Sequence, residues 1–364
     1  MNAFSVLVKP ASSLCNMRCS YCFYHSTSST RKNFSYGLMS HETAHNLIDR
    51  AFSYKPEPFA VSFLFQGGEP TLAGLDFFED FTKYAAEKLP AGCEIKYSIQ
   101  TNGLLLDSSF CDFFKKNQFL LGLSLDGDKA IHDLLRKDAD GKGTFTRVIT
   151  AAKLLDKTSV DFNILTVVTK TVVRHIRSIW NEYEKNGFKY LQFIPCLPPF
   201  DGSTDKFSLT PQLYSDFLKE SFTLYANSIK HGKYVSVRFF DNLILLLKGN
   251  RAEQCGLNGR CSFQFVTEAN GGIYPCDFYC MDKYLCGNVN DELFSEIESS
   301  QKAMSFLGNS AAWSSLCKEC GYKSICGAGC KRYQSFYFSS PDFCPHKEFL
   351  NYAMRELQTI SRYL

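Results

Sequence analysis

Short apolar runs alternate with longer amphipathic stretches along the first 200 residues of the chain. The apolar runs predict β-strands at 4–9, 60–66, 95–101, 119–125, 161–168 and 190–195. The stretches between them predict helices at about 41–53, 75–88, 107–117, 144–157 and 172–186. In one of these helices a single apolar face is formed by Leu75, Phe78, Phe81 and Ala85. The alternation predicts an α/β fold, with a parallel sheet and helices packed outside it.

The six predicted strands are fewer than the eight that close a (β/α)8 barrel, so we expect a partial barrel with an open side. Functional loops in such sheets gather at the carboxyl ends of the strands. Polar motifs follow the first four predicted strands at 15–22, 67–70, 102–103 and 126–127. This distribution predicts one functional site at that edge of the sheet.

The organisation of the chain changes after about residue 200. Residues 198–208 are rich in Pro, Gly, Ser and Asp and predict a loop or linker. A predicted helix at roughly 210–230 and an apolar run at 235–240 follow. Beyond this run the sequence is rich in cysteine. We therefore expect two domains, at 1–232 and 233–364, the second ending in a helix.

Three cysteines lie within eight residues directly after the first predicted strand, in the sequence C-N-M-R-C-S-Y-C. These residues are Cys15, Cys19 and Cys22. Thiolates are soft ligands that hold iron–sulfur clusters, and three of them leave one iron of a four-iron cluster open to a small molecule. A zinc site is the alternative, but zinc sites usually pair C-x2-C with a second, distant pair of ligands.

A second group of cysteines lies near the carboxyl end of the chain. The spacing Cys-x2-Cys-x5-Cys-x3-Cys joins Cys317, Cys320, Cys326 and Cys330, and Cys344 follows. Further candidate ligands upstream are Cys255, Cys261 and Cys276. This spacing predicts metal binding, with a structural zinc ribbon as the alternative to iron–sulfur clusters. The remaining cysteines are interpreted as buried small hydrophobic residues: Cys93, Cys111, Cys196, Cys280 and Cys286.

Composition narrows the class of protein. The chain has 364 residues, 45% of them hydrophobic and 21% charged, which is typical of a globular protein. Its net charge of only +3 predicts no nucleic-acid or membrane-surface partner. No apolar run approaches the ~20 residues that span a bilayer. The amino-terminal residues lack the charged and apolar regions of a signal peptide, so the sixteen cysteines indicate metal ligands in a reducing cytoplasm.

The first cysteine motif, with Tyr21 directly before its third cysteine, resembles the signature of the radical S-adenosylmethionine enzymes. In that family the open iron binds S-adenosylmethionine, and the fold is a six-stranded partial barrel. Residues 67–69 resemble the family's Gly-Gly-Glu motif, although a tight turn is the simpler interpretation of that motif alone. The resemblance implies cofactor contacts from Tyr21, Gln66, Gly67, Gly68, Glu69, Asn102 and Ser124, with strand-end capping as the alternative for the last two.

The second cysteine group is similar to the SPASM extension, which carries two auxiliary 4Fe–4S clusters. The resemblance implies that one cluster is bound by Cys255, Cys261, Cys276 and Cys330. It implies that the other is bound by Cys317, Cys320, Cys326 and Cys344. The implied cofactors are therefore S-adenosylmethionine and three 4Fe–4S clusters.

Several stretches together resemble the anaerobic sulfatase-maturating enzymes, namely 8–13, the first cysteine motif, 65–74, 100–103 and 274–279. These enzymes oxidise a Cys or Ser of a sulfatase to Cα-formylglycine after a 5′-deoxyadenosyl radical removes a hydrogen atom from the substrate. The resemblance implies that Asp277 is the catalytic base and that Tyr24 and Gln66 bind the peptide. A surface or capping aspartate is the alternative for Asp277, and simple packing is the alternative for Tyr24. The implied partners are a sulfatase with a C/S-x-P-x-R motif and an electron donor, flavodoxin or ferredoxin.

Two other functions stay open at this point. SPASM enzymes also modify ribosomal peptides by forming thioethers, crosslinks or epimers, often with an additional amino-terminal domain. Only 14 residues precede Cys15, which favours the sulfatase interpretation. A non-catalytic electron carrier is the second alternative, but it would not need a motif that leaves one iron open.

Overall fold

The computed structural model describes residues 2–200, 205–308 and 314–363. The chain forms two compact units, and each is built from several segments. The first contains Met1–Ser124, Arg136–Phe162 and Ser262–Gly308. The second contains Leu125–Leu135, Asn163–Cys261 and Asn309–Leu364. The expected boundary between residues 232 and 233 stays a prediction.

The described residues form ten strands, and the first six agree closely with the predicted ones. They are β1 (Asn2–Val8), β2 (Phe59–Phe65), β3 (Glu94–Thr101), β4 (Leu120–Ser124), β5 (Phe162–Val168), β6 (Tyr190–Pro195), β7 (Ser236–Val237), β8 (Val266–Thr267), β9 (Gly272–Tyr274) and β10 (Gly287–Asn288). In the first unit their order is β10-β9-β8-β1-β2-β3-β4, and β1 to β4 are parallel. In the second unit β5, β6 and β7 are parallel neighbours.

The described residues contain helices at all the predicted amphipathic stretches, together with further helices that were not predicted. They are α1 (Phe23–Ser29), α2 (His41–Phe52), α3 (Leu75–Lys88), α4 (Ser108–Lys116), α5 (Lys129–Leu135), α6 (Phe145–Lys157), α7 (Lys170–Arg174), α8 (Ile176–Lys185), α9 (Pro211–Lys230), α10 (Arg238–Leu247), α11 (Phe294–Ser299), α12 (Gln301–Gly308), α13 (Ser315–Lys318), α14 (Lys323–Cys326), α15 (Gln334–Tyr337) and α16 (Pro345–Ile360). The helix predicted over 172–186 is two helices, because the backbone leaves the helical conformation at His175.

Aromatic side chains pack α3 against the sheet of the first unit. On β2 the side chains alternate in burial, and Phe63 and Phe65 are buried on the α3 side. Both contact Phe81 edge to face with ring centroids 5.0 Å apart, and Phe78 contacts Phe65 in the same way at 5.2 Å. Such pairs add about 0.5–1.5 kcal/mol each to the burial of their apolar area.

Strand β1 has a neighbour that the sequence pattern did not predict. The short strand β8 pairs with β1 in parallel, with Leu7 opposite Val266 and Val8 opposite Thr267. The hairpin from β8 to β9 turns tightly at Gly271, which has a φ of +84°. This pairing brings residues 268–280 to the carboxyl end of β1, next to the loop that carries the first three cysteines.

Among residues 2–200, 205–308 and 314–363, no helix has the length and apolar character needed to cross a membrane.

Candidate active site

The loop between β1 and α1 carries Cys15, Cys19 and Cys22, and nitrogen donors face each sulfur. The Met17 amide lies 3.4 Å from Cys15 Sγ, and the His25 amide lies 3.4 Å from Cys22 Sγ. Hydrogen bonds to cluster thiolates stabilise their negative charge.

Two side chains from outside the loop also face these sulfurs. Asn102 Nδ2 lies 3.9 Å from Cys15 Sγ, and Arg136 Nη1 lies 3.8 Å from Cys19 Sγ. The Arg136 guanidinium also lies over the ring of Tyr21, 5.5 Å from its centroid. Burial raises the pKa of the Cys15 thiol to about 12, with further contributions from Glu69 and the neighbouring cysteines. A bound metal cation supplies the positive charge that a buried thiolate requires.

Residues Gly67 and Gly68 lie directly against the backbone of the cysteine loop. The Gly68 N–H donates to Ser12 O at 2.8 Å, and the Glu69 N–H donates to Leu14 O at 2.8 Å. A Cβ atom on Gly68 would lie 2.0 Å from Leu14 O. Gly67 has a φ of +124°, which side-chain-bearing residues rarely adopt. Both glycines are therefore required for the strand β2 to support the cysteine loop.

The Glu69 carboxylate is buried and holds the ends of β2 and β3 together. It accepts hydrogen bonds from Thr71 Oγ1 at 2.6 Å, Thr101 Oγ1 at 2.7 Å and the Asn102 N–H at 2.7 Å. Burial raises the pKa of Glu69, while these hydrogen bonds act in the opposite direction. Asn102 in turn donates to Asn16 Oδ1 at 2.7 Å, so the Glu69 side chain orients a residue that contacts the cysteine loop.

The other residues predicted to bind the cofactor lie in the same unit. Ser124 is buried at the end of β4, and its Oγ accepts a hydrogen bond from Gln100 Nε2 at 3.0 Å. The backbone N–H of Gln66 donates a hydrogen bond to Val8 O at 2.9 Å, directly after the last paired residues of β1 and β2. The strand ends therefore bring these residues to the edge of the sheet where the cysteine loop lies.

Asp277 follows Cys276 directly and begins a single helical turn, Asp277–Tyr279. Its Oδ1 lies 2.5 Å from Lys9 Nζ. Lys9 is 1% exposed, and its Nζ also lies 3.7 Å from the ring centroid of Tyr24. Burial alone would lower the pKa of Lys9, but attraction to Asp277 and Glu268 raises it above its ordinary value. Lys9 therefore faces Asp277 as an ammonium ion.

A second buried ion pair lies beside Lys9 and Asp277. Arg31 Nη2 lies 2.8 Å from Glu268 Oε1, and both side chains are fully buried. The same carboxylate accepts hydrogen bonds from the Tyr24 hydroxyl and, at 2.9 Å, from Ser12 Oγ. Two cations and two anions thus balance one another in the interior, which limits the cost of burying them.

Lys9, Ser12, Arg31 and Glu268 were not predicted as site residues. Lys9 and Ser12 lie in the stretch 8–13 that carried part of the family resemblance, but no local pattern indicated their partners. The partner of Ser12 is Glu268, 256 residues away and directly after the unpredicted strand β8, and the partner of Lys9 is Asp277, 268 residues away.

In the second unit the carboxyl-terminal cysteines line two separate cavities of about 420 Å³ each, open mouths included. One cavity is lined by Cys255, Cys261 and Cys330. The other is lined by Cys317, Cys320, Cys326 and Cys344. Seven of the eight cysteines in the two implied ligand sets therefore line these cavities, and the assignment of ligands stays a prediction. Cys276 belongs to the first unit, and its membership in a ligand set stays a prediction.

In the part of the chain that the structure describes, no group of three or more Cys, His, Asp or Glu side chains is close enough to hold a single metal ion.

Comparison with known proteins agrees with this geometry. Residues 10–178 match the model of the radical SAM superfamily, and residues 255–321 match that of an iron–sulfur cluster-binding domain called SPASM. A cysteine-type anaerobic sulfatase-maturating enzyme of Clostridium perfringens (strain 13 / Type A) is 41% identical, with 99% of each chain covered. The chain therefore belongs to the anaerobic sulfatase-maturating enzymes.

A solved structure and a more distant relative indicate which type within the family the chain resembles more. Native anSMEcpe, solved with bound AdoMet and the Kp18Cys peptide, superposes with a TM-score of 0.92 and 39% identity, covering all of both chains. A serine-type anaerobic sulfatase-maturating enzyme of Bacteroides thetaiotaomicron is 28% identical, with 90% of this chain and 82% of that one covered. The similarity is therefore greater to the cysteine type.

As an anaerobic sulfatase-maturating enzyme, the protein is a radical enzyme with the partial-barrel and SPASM architecture that its sequence predicted. Its cofactors are S-adenosylmethionine and three 4Fe–4S clusters. Ten of the eleven predicted ligands are grouped in a way that fits these cofactors, since one loop supplies three thiols and the two cavities supply three and four.

Substitution of Gly68 by Ala should remove the iron bound by Cys15, Cys19 and Cys22. The added methyl group would displace the Leu14 carbonyl and with it the cysteine loop. Iron analysis should show the loss of about four iron atoms per chain. Gly308→Ala is the matched control, because a Cβ there meets nothing within 4 Å. Full iron content in Gly68→Ala would contradict the proposed support of the loop.

Iron counting should also separate the three cysteine sets. Replacing Cys15, Cys19 and Cys22 together, or Cys255, Cys261 and Cys330, or Cys317 and Cys320, should each remove about four iron atoms. Cys111→Ser is the control, because this buried cysteine lies on α4. If substitution of Cys317 and Cys320 also emptied the site lined by Cys255, the two sets would not be independent.

Proposed function

We propose that this enzyme oxidises a cysteine side chain of a sulfatase to Cα-formylglycine. The observation that carries the proposal is the position of Asp277, which follows Cys276 directly. Asp277 lies in one buried network with Tyr24, and Tyr24 is two residues beyond Cys22 in the sequence. A candidate base and the radical-generating cysteines therefore belong to one compact unit. The cysteine-type relatives support cysteine as the side chain that is oxidised.

The reaction removes two hydrogens from the substrate and exchanges sulfur for oxygen. The bound cofactors supply a radical that takes one hydrogen atom from Cβ and an acceptor for one further electron. Loss of the thiol proton and of that electron converts the carbon–sulfur single bond to the double bond of a thioaldehyde. Water then replaces sulfur, hydrogen sulfide leaves, and the aldehyde of formylglycine remains.

Asp277 is proposed to take the thiol proton. Lys9 binds Oδ1 of this carboxylate, which leaves Oδ2 as the oxygen to face a substrate. A carboxylate is a weak base for a thiol, so its effect depends on alignment with the proton it removes. Lys9 is itself held between Asp277 and the ring of Tyr24. We therefore assign Lys9 as a positioning residue that fixes the orientation of Asp277.

The cofactor contacts of Tyr21, Gln66, Gly67, Gly68, Glu69, Asn102 and Ser124 are part of this proposal. The N–H groups of Gly68 and Glu69 already bond to the cysteine loop. Backbone carbonyls of residues 66–68 are therefore proposed to accept hydrogen bonds from the ammonium group of S-adenosylmethionine.

The finer details of the partners are proposed from the family. We propose that Gln66 and Tyr24 contact the peptide, Tyr24 through its ring because its hydroxyl bonds to Glu268. A C/S-x-P-x-R motif in the sulfatase, a flavodoxin or ferredoxin as electron donor, and a cytoplasmic location stay predictions.

Incubation of the reconstituted enzyme with S-adenosylmethionine, dithionite and a peptide containing C-x-P-x-R tests this function. The mass of the peptide should change by the exchange of sulfur for oxygen and the loss of two hydrogens. A peptide with Ala in place of the cysteine is the control and should not change. A product that retains sulfur in a thioether or crosslink, or an epimer of unchanged mass, would contradict the proposal.

Asp277→Asn should lower formylglycine formation by at least about 10²-fold, the usual contribution of a general base. Cleavage of S-adenosylmethionine to 5′-deoxyadenosine should continue, because the cysteine loop is unchanged. Asp291→Asn, an exposed aspartate of the same unit, is the control. Both products should be quantified in one reaction. Formylglycine at the parental rate would remove Asp277 from the mechanism.

Lys9→Met should lower the ratio of formylglycine to 5′-deoxyadenosine by about 10-fold, since charge-assisted hydrogen bonds are worth about 1.5–3 kcal/mol. Lys9→Arg should restore part of that ratio. Lys129→Met, which breaks an exposed ion pair with Asp133, should leave it unchanged. A lower total rate with an unchanged product ratio would indicate a purely structural role for Lys9.

A further inference from the structure

A histidine of the second unit contacts the sulfur ligands of one auxiliary cluster. His346 Nδ1 lies 3.2 Å from Cys326 Sγ. The His346 backbone N–H also hydrogen-bonds to the sulfur of Cys344. Both cysteines line the cavity that Cys317 and Cys320 share. One residue thus touches two thiols of the same ligand set, once through its ring and once through its backbone.

The surroundings of the His346 ring restrict what it can do. The side chain is 5% exposed and lies among aromatic rings, with the centroid of Tyr337 at 4.6 Å and that of Phe239 at 5.6 Å. Within the described part of the chain, Nε2 is buried and has no hydrogen-bond partner. Its contact with Cys326 is therefore the polar contact that orients the ring.

The chemistry of the ligand determines the direction of this hydrogen bond. A cysteine bound to iron is a thiolate and has no proton to donate. Of the two ring nitrogens of a neutral imidazole, one donates and the other accepts. Nδ1 must therefore carry the proton that faces Cys326, and Nε2 is the unprotonated nitrogen among the aromatic rings.

The amino-terminal end of α16 adds further donors to the same site. Cys344 is the residue directly before this 16-residue helix, and the N–H groups of His346 and Lys347 in its first turn face the Cys344 sulfur. The Ala328 N–H similarly faces Cys326. Donors and a helix amino terminus stabilise negative charge. The reduced cluster carries one more negative charge than the oxidised one, so it gains more from them.

We propose that His346 donates a hydrogen bond to Cys326 and thereby raises the reduction potential of the auxiliary cluster held by Cys317, Cys320, Cys326 and Cys344. A higher reduction potential makes this cluster a better electron acceptor. The proposal concerns the cluster itself and does not depend on which peptide the enzyme oxidises.

A redox titration of the full-length holoenzyme, followed by electron paramagnetic resonance, tests this role. His346→Phe keeps an aromatic ring among Tyr337 and Phe239 but removes the donor. The potential of one auxiliary cluster should become more negative, and those of the other two clusters should stay at their parental values. The affected signal should be the one that disappears when Cys317 and Cys320 are replaced together.

His346→Asn is the matched control, because an amide nitrogen can take the place of Nδ1. It should keep the potential near the parental value. His346→Leu is a second donor-free variant. Iron analysis of His346→Phe and His346→Leu identifies which of them retains the complete cluster set. A parental potential in a donor-free variant with full iron would overturn the proposal. An equal shift in His346→Asn and His346→Phe would also overturn it.

Discussion

The site depends on the position of β1 between two strands that are far apart in the sequence. On the β2 side the backbone N–H of Gln66 donates to Val8 O at 2.9 Å. On the β8 side the backbone N–H of Lys9 donates to Thr267 O at 2.8 Å. These two bonds fix the carboxyl end of β1, from which the cysteine loop departs. Without the pairing of β8 with β1, Asp277 and Glu268 would have no fixed relation to Lys9 and Ser12.

The interior around this junction is charged, and its charges are compensated locally. Lys9 pairs with Asp277, Arg31 pairs with Glu268, and Tyr24 contacts members of both pairs. Removing one partner would leave an uncompensated buried charge, which typically costs 3–5 kcal/mol. Such a network holds side chains in one orientation. This property suits a reaction in which a proton and a hydrogen atom leave neighbouring atoms of one substrate side chain.

Much of the fold followed from periodicity, because β1 to β6 and most helices of the barrel are long enough to show an apolar repeat. Strands of two or three residues such as β8 and β9 carry no such signal, so the pairing that brings Asp277 to Lys9 was not predicted. The grouping of the carboxyl-terminal cysteines came from resemblance, and two cavities of the second unit agree with it. Lys9, Arg31 and Glu268 could not be found because an ion pair over a long sequence separation leaves no local pattern.

In the proposed reaction the carboxyl end of β1 joins a radical-generating loop to a base that acts on a cysteine side chain. A peptide whose reactive cysteine carries deuterium at Cβ tests it most directly, by mass spectrometry of the 5′-deoxyadenosine formed during turnover. One deuterium atom should be transferred from Cβ to 5′-deoxyadenosine. Deuterium transfer from a Cα-labelled peptide instead, or no transfer from the Cβ-labelled peptide, would contradict it.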